Sequence, residues 1–314
     1  MKWIAVDGSF EFKRQQIIFK GEPTPFTDNA GREAMGCAVG LAMNDQRFAG
    51  GEISATVEFS HIGSTNAVDV VFYFDPAKRW FASACIGGPG HSFAIRHWDG
   101  QWTIHNSSGI KNNLLPNRKY EVAVNYRGSY VSLSVDGVEV LAATLPFSLP
   151  PSQTGIHCID DHDVKIGDYD VSTSPGRAFV VMQFSSPFNE IYEEVIRNVC
   201  KEFGIESHRA DETYGPGLII ADVVREIADS EFVIAEITPA NPNVYYEIGY
   251  AHAINKPTIL LADSNLDKLP FDVSGFRTLF YENSIAGKRK FEESLRKHIS
   301  AIFQKAPISS ARKP

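Results

Sequence analysis

Up to about Thr173 the chain alternates apolar and polar residues with a period of two, in "ISATVEFS", "VDVVFYFD", "WFASACIG", "SFAIRHWD", "YEVAVNYRG" and "YVSLSVDGVEVLAATL". Side chains of an extended chain point alternately to opposite faces, so each run reads as a strand with one face buried. Turn residues fall between the runs at Asp99-Gly100, Pro116-Asn117 and Asp136-Gly137, the last placed as in a tight hairpin. Many short strands without a helical period predict an antiparallel β-sandwich.

Beyond the break "STSPGR" at residues 172 to 177 the period changes. "AFVVMQFS" reads as a buried parallel strand, "FNEIYEEVIRNVCKEFG" as an amphipathic helix ended by Gly204, and "IESHRAD" as a second strand. The helix "GLIIADVVREIADS", the strand "FVIAEIT", the helix "NPNVYYEIGYAHAIN", the strand "PTILLAD" and a helix near "GKRKFEESLRKHISAIF" follow. Repeated strand–helix units predict a doubly wound parallel sheet, with ligands at the carboxyl ends of its strands. The chain therefore divides into a sandwich over residues 1–173 and an α/β domain over 177–305.

A length of 314 residues suits two cores, and 43% hydrophobic with 22% charged residues is ordinary for a globular protein. The net charge of −8, with Lys and Arg scattered, excludes a phosphate-backbone footprint and so a nucleic-acid partner. No apolar run is long enough to span a membrane, and the first residues carry no apolar signal segment, which predicts a cytoplasmic protein. Cys37, Cys85, Cys158 and Cys200 lack metal-site spacing and read as reduced thiols.

The helix in "TPANPNVYYEIGYAHA" carries the most informative residue. Asn241 serves as its N-cap and Pro242 as its first residue. Val244, Ile248, Ala251 and Ile254 form one apolar arc, and Glu247 falls inside that arc. An unpaired carboxylate there would cost several kcal/mol, so it must be paired, protonated or turned to a cavity. Spacing alone leaves open a helix-edge Glu bonded to a neighbouring Tyr or amide.

The segments "FVVMQFSSPFNEIYEEVI", "RADETYGPGLIIADVVREIADSEFVIAEITPANPNVYYEIGYAHAINKPTILL" and "LPFDVSGFRTLFYE" resemble the bacterial nucleoside 2-deoxyribosyltransferase-like and TIR-like domains. The resemblance implies a flavodoxin/TIR-like sheet, and it maps the essential Glu of those enzymes onto Glu247. It further implies that Gln183, Phe184, Ser185, Arg209, Asp211, Asp222, Asn243 and Tyr246 line a nucleotide or nucleoside site. The helix N-terminus and donors from Asn243 or Tyr246 favour an ionised Glu247 whereas burial raises its pKa, and the sequence leaves that balance open. Glu247 would then stabilise positive charge on a ribose as an N-glycosidic bond breaks. The activity implied is NAD glycohydrolysis in a bacterial defence or stress effector, with NAD as substrate and no cofactor. Base exchange on deoxynucleosides, or nucleotide sensing without cleavage, is the alternative. Asn241 stands where true deoxyribosyltransferases usually carry an acidic residue, which weighs against base exchange. The TIR resemblance also implies a homo-oligomer.

For the first half, the strand order from "GEISATVEFS" to the closing "VKIGDYDVS" is similar to the concanavalin A-like (laminin G-like) jelly-roll sandwich. That similarity implies a sensor or interaction module with a carbohydrate or protein ligand, in which Trp80, Trp98 and Trp102 form a sugar-stacking face or simply pack in the core. His157, Asp160, Asp161, His162 and Asp163 read as a polar turn, with metal binding, most plausibly calcium through the carboxylates, as the lesser alternative. "GGPGHS" follows a strand and opens no helix, so it is no phosphate loop.

Overall fold

The computed structural model describes all residues except 28–30, 111–112, 148, 213–218, 267–268, 270–272 and 305–314, so the expected end of the second domain at 305 lies outside the described residues. Two compact units are present: one of residues 1–126, 131–144 and 151–174, the other of residues 127–130, 145–150 and 175–314.

In the first unit two seven-stranded sheets face each other. One orders β1 (Trp3–Asp7), β6 (Ala38–Phe48), β15 (Ser152–Asp160), β8 (Ala67–Asp75), β9 (Trp80–Gly87), β10 (Phe93–Trp98) and β11 (Trp102–Ser108). The other orders β14 (Val138–Thr144), β13 (Tyr130–Val135), β12 (Lys119–Arg127), β7 (Gly51–Phe59), β16 (Val164–Thr173), β3 (Gln16–Phe19) and β2 (Phe10–Lys13). A hairpin of β4 (Thr24–Thr27) and β5 (Glu33–Gly36) stands apart from both. The recorded sandwich pairings are antiparallel, as the alternating pattern predicts. Phe72 of β8 stacks on Tyr126 of β12 with ring centroids 5.2 Å apart, which places Val68, Val70 and Phe72 in the inter-sheet core. The opposite parity, Asp69 and Val71, belongs to the outward face of the first sheet.

The second unit contains a five-stranded parallel sheet in the order β18 (Ile205–Arg209), β17 (Gly176–Val181), β19 (Phe232–Glu236), β20 (Thr258–Asp263) and β21 (Thr278–Tyr281). Its faces carry separate apolar clusters. Phe188, Tyr192 and Val199 with Phe291 and Leu295 pack on one side, and Val223, Ile227, Val244 and Ile248 on the other. The first cluster is supplied by α1 (Phe188–Ile191), a π turn at Tyr192–Ile196, α2 (Arg197–Glu202) and α5 (Ile285–Gln304), and the second by α3 (Ile219–Asp229) and α4 (Pro242–Ala253). Gly204 closes α2 at φ +68°, a conformation glycine adopts without strain. The side chain of Asn241 accepts from the Asn243 amide at 3.0 Å and caps α4 as its sequence predicts. Buried Lys256 donates to the Ala228 and Ser230 carbonyls at 2.9 and 2.6 Å and to Ser129 Oγ at 2.8 Å, satisfying the carboxyl end of α3.

All four cysteines are free, and three are buried. Among the described residues no helix is long and apolar enough to cross a membrane.

Replacing Phe72, whose side chain is fully enclosed between the sheets, with Ala is expected to destabilise the sandwich by about 3–5 kcal/mol. Denaturant unfolding of the variant checks this, and a loss under about 1 kcal/mol would contradict the inter-sheet placement.

Candidate functional sites on the two units

The residues predicted at the strand ends of the parallel sheet fall into two groups. After β17, Gln183 donates to Ser185 Oγ at 2.9 Å. Arg209, at the end of β18, is buried; it donates to Asp211 Oδ2 and Asn189 Oδ1, both at 2.8 Å, and lies 5.2 Å above the Phe184 ring and 4.5 Å from that of Tyr192. The structure thus gathers Phe184, Arg209 and Asp211 into one cluster beside Gln183 and Ser185. Asn243 and Tyr246 are exposed on α4, and Asp222 is half-buried in the first turn of α3.

Glu247 stands apart. It is half-buried on α4, and no hydrogen bond or ion pair is recorded for it, so desolvation pushes its carboxyl up to about 7. Of the two opposed influences burial prevails: no hydrogen bond from Asn243 or Tyr246 to Glu247 is present among the described residues, and Tyr246 is 56% exposed.

Sequence reasoning overlooks a second carboxyl, Glu236, which closes β19 at 1% exposure. Its Oε1 accepts from the Thr238 amide at 2.8 Å, while Oε2 and the nearby Tyr245 hydroxyl have no partner. Burial raises it to about 8, with Asp263 adding to the shift. The clue was present in "FVIAEIT", an apolar strand ending in an acid.

A denser polar site occupies the outward face of the first sandwich sheet. Cross-strand register sets His157 opposite Asp69, Val71 opposite Ser83, Ser83 opposite Arg96, and Trp98 opposite both Phe81 and Trp102. Asp69 is fully buried, and Arg96 is 2% and His157 5% exposed. The Asp69 carboxylate accepts four hydrogen bonds: from Arg96 Nε at 2.8 Å, Arg96 NH2 at 2.7 Å, Ser83 Oγ at 2.9 Å and His157 Nδ1 at 2.9 Å. The guanidinium and these donors outweigh burial and hold Asp69 well below the usual carboxylate range. The Arg96 guanidinium carbon lies 3.9 Å from the centroid of the Trp102 ring. Phe81, Trp98 and His157 meet that ring at 5.3–5.5 Å with interplanar angles of 61–84°. Trp98 and Trp102 remain half-buried. Trp80 takes the opposite parity and packs against Tyr73 and His97, so two of the three predicted tryptophans share a face.

At the polar turn, Asp160, Asp161 and His162 place one ligand atom each within 4.8 Å of one another. Buried Asp160 already accepts from Asn66 and the His162 amide, which supports the turn reading.

No family model and no curated protein matches this chain. Among solved structures it is similar to a carbohydrate-binding module, CBM66, from Bacillus subtilis, at 12% identity over 55% of this chain and 93% of that one, with a TM-score of 0.41. A Bacillus licheniformis β-glucanase matches at 9% over 53% and 89%, TM-score 0.35, and the laminarinase catalytic domain of Thermotoga maritima at 7% over 52% and 80%, TM-score 0.35. Likeness at this level assigns no activity. The expectation of an NAD glycohydrolase is nevertheless corrected: these neighbours are a carbohydrate-binding module, a β-glucanase and a laminarinase, and Glu247, which that chemistry needs ionised, is pushed toward its protonated form by desolvation.

Raising the folded pKa of Glu236 from 4.5 to about 8 means that its stabilising contribution is complete below pH 4.5 and is lost as pH rises through 8. Glu236→Gln keeps the Thr238 hydrogen bond and cannot ionise. The variant is expected to match the parent near pH 5 and to exceed it by a few kcal/mol near pH 9, at about 1.4 kcal/mol per pKa unit. Parallel stability–pH curves for the two proteins would contradict the assignment.

Proposed function

We propose that the sandwich binds a carbohydrate on the outward face of its first sheet, with Trp102 and Trp98 as the stacking surface. The observation that carries this reading is the support of Trp102: a guanidinium beneath one face and three rings at its edges leave it little freedom to lose on binding. An aromatic ring offers a sugar a flat apolar surface, and the polar groups beside it supply direction. Binding fits this face better than hydrolysis. Glycosidic hydrolysis takes a pair of carboxyl groups, one of them protonated, whereas Asp69 is fixed as an anion by four donors. In affinity electrophoresis through gels containing single polysaccharides, the parent is expected to be retarded by at least one of them. Trp102→Ala should weaken that interaction at least about thirtyfold, the 2 kcal/mol scale of a central aromatic contact. Equal retardation of parent and variant would sink the proposal.

One feature favours a second reading for the α/β unit: Glu247 is half-buried on α4, and desolvation pushes its carboxyl up to about 7. We infer that Gln183, Phe184, Ser185, Arg209, Asp211, Asp222, Asn243 and Tyr246 line a site at the strand ends, in which Glu247 protonates the leaving oxygen of a sugar glycosidic bond while water adds to the anomeric carbon and returns a proton to the Glu247 carboxylate. A carboxyl titrating near 7 suits that task. Turnover of a panel of aryl glycosides should fall above pH 7 as Glu247 ionises, and Glu247→Gln should lower kcat at least about a hundredfold. A folded variant with the parent's rate and pH profile would rule this out.

A further inference from the structure

The carbohydrate reading leaves open what kind of saccharide the sheet face accepts, and the placement of charge answers this. Cross-strand register carries this face from His157 and Asp69 to Ser83, whose hydroxyl bonds Asp69, and on to Arg96, which pairs with Ser83. Arg96 is the cation an acidic or sulfated sugar would seek, because its fork matches two anionic oxygens. That fork is already occupied: Nε and NH2 both bond Asp69, and the guanidinium plane lies under Trp102. An incoming anion would have to displace the buried Asp69 carboxylate, leaving a desolvated charge without its partner.

His157 supplies the complementary feature. An ionised carboxylate only accepts hydrogen bonds, so the Nδ1 atom facing Asp69 carries the proton, and in the neutral ring Nε2 keeps its lone pair. No hydrogen-bond partner for Nε2 is recorded among the described residues, although the ring is 95% enclosed and lies edge-on to Trp102 at 5.5 Å. Nε2 is not among the described buried atoms left without a partner, so it is an acceptor at the surface of this face rather than a sealed one. A sugar resting its apolar face on Trp102 and Trp98 brings hydroxyl donors to that position.

The geometry points to an uncharged saccharide as the ligand of this face, stacked on Trp102 and donating one hydroxyl to His157 Nε2. This rests on the carbohydrate reading and narrows it.

The test uses the full chain and two matched polymer pairs, dextran with dextran sulfate and hydroxyethyl cellulose with carboxymethyl cellulose. At least one neutral polymer is expected to retard the protein, with its anionic counterpart at least tenfold weaker. Addition of short fragments of the bound neutral polymer should shift the His157 Nε2 resonance in nitrogen-15 spectra of the parent. His157→Phe should weaken binding about tenfold, the loss of one hydrogen bond at about 1.4 kcal/mol. Because that variant uncovers Asp69 and risks unfolding, the resonance shift in the parent is the decisive reading. Equal or tighter binding of the anionic polymers, or an unmoved Nε2 resonance at saturation, overturns the inference while a Trp102→Ala loss keeps the carbohydrate reading. Failure of all four polymers to retard the protein overturns both.

Discussion

The first unit is organised around one desolvated carboxylate. Asp69 is fully enclosed on a sheet face that turns away from the inter-sheet core, and an isolated ion there would destabilise the sandwich severely. Four donors on three neighbouring strands prevent that. Because hydrogen bonds to a carboxylate are directional, the same four contacts fix the rotamers of Arg96, Ser83 and His157, and Arg96 in turn fixes Trp102. Electrostatic necessity here produces a rigid aromatic surface.

The second unit handles buried acid differently. Glu236 and Glu247 are given neither a cation nor a full set of donors, so burial drives both toward the neutral form. Asp69 has its charge compensated; these two tend to lose theirs. The contrast separates a surface suited to recognition from groups suited to moving protons.

Much of this was legible in the chain. Alternation in "VDVVFYFD" gave the strand and the parity of Asp69, and Asn241-Pro242 gave the start of α4. What alternation could not give was register. Asp69 and Arg96 draw no functional reading and His157 groups with the polar turn, since nothing in the linear order says that strands β15, β8, β9 and β10 lie side by side. Spacing likewise put Glu247 on the packing arc of α4, whereas its ionisation depends on donors that only the folded unit supplies or withholds. The family resemblance overreached for the same reason: it carried a reaction across with a residue, and the residue's surroundings differ from what the reaction requires.

The unpartnered Oε2 of Glu236 also affects heat as well as stability. Folded near neutral pH the group holds its proton, whereas in the unfolded chain a carboxyl of ordinary acidity gives it up. Unfolding of the second unit is therefore coupled to proton release into the surrounding buffer. Part of the heat taken up as this unit melts belongs to the buffer, so the apparent enthalpy of the same structural transition differs between phosphate and Tris.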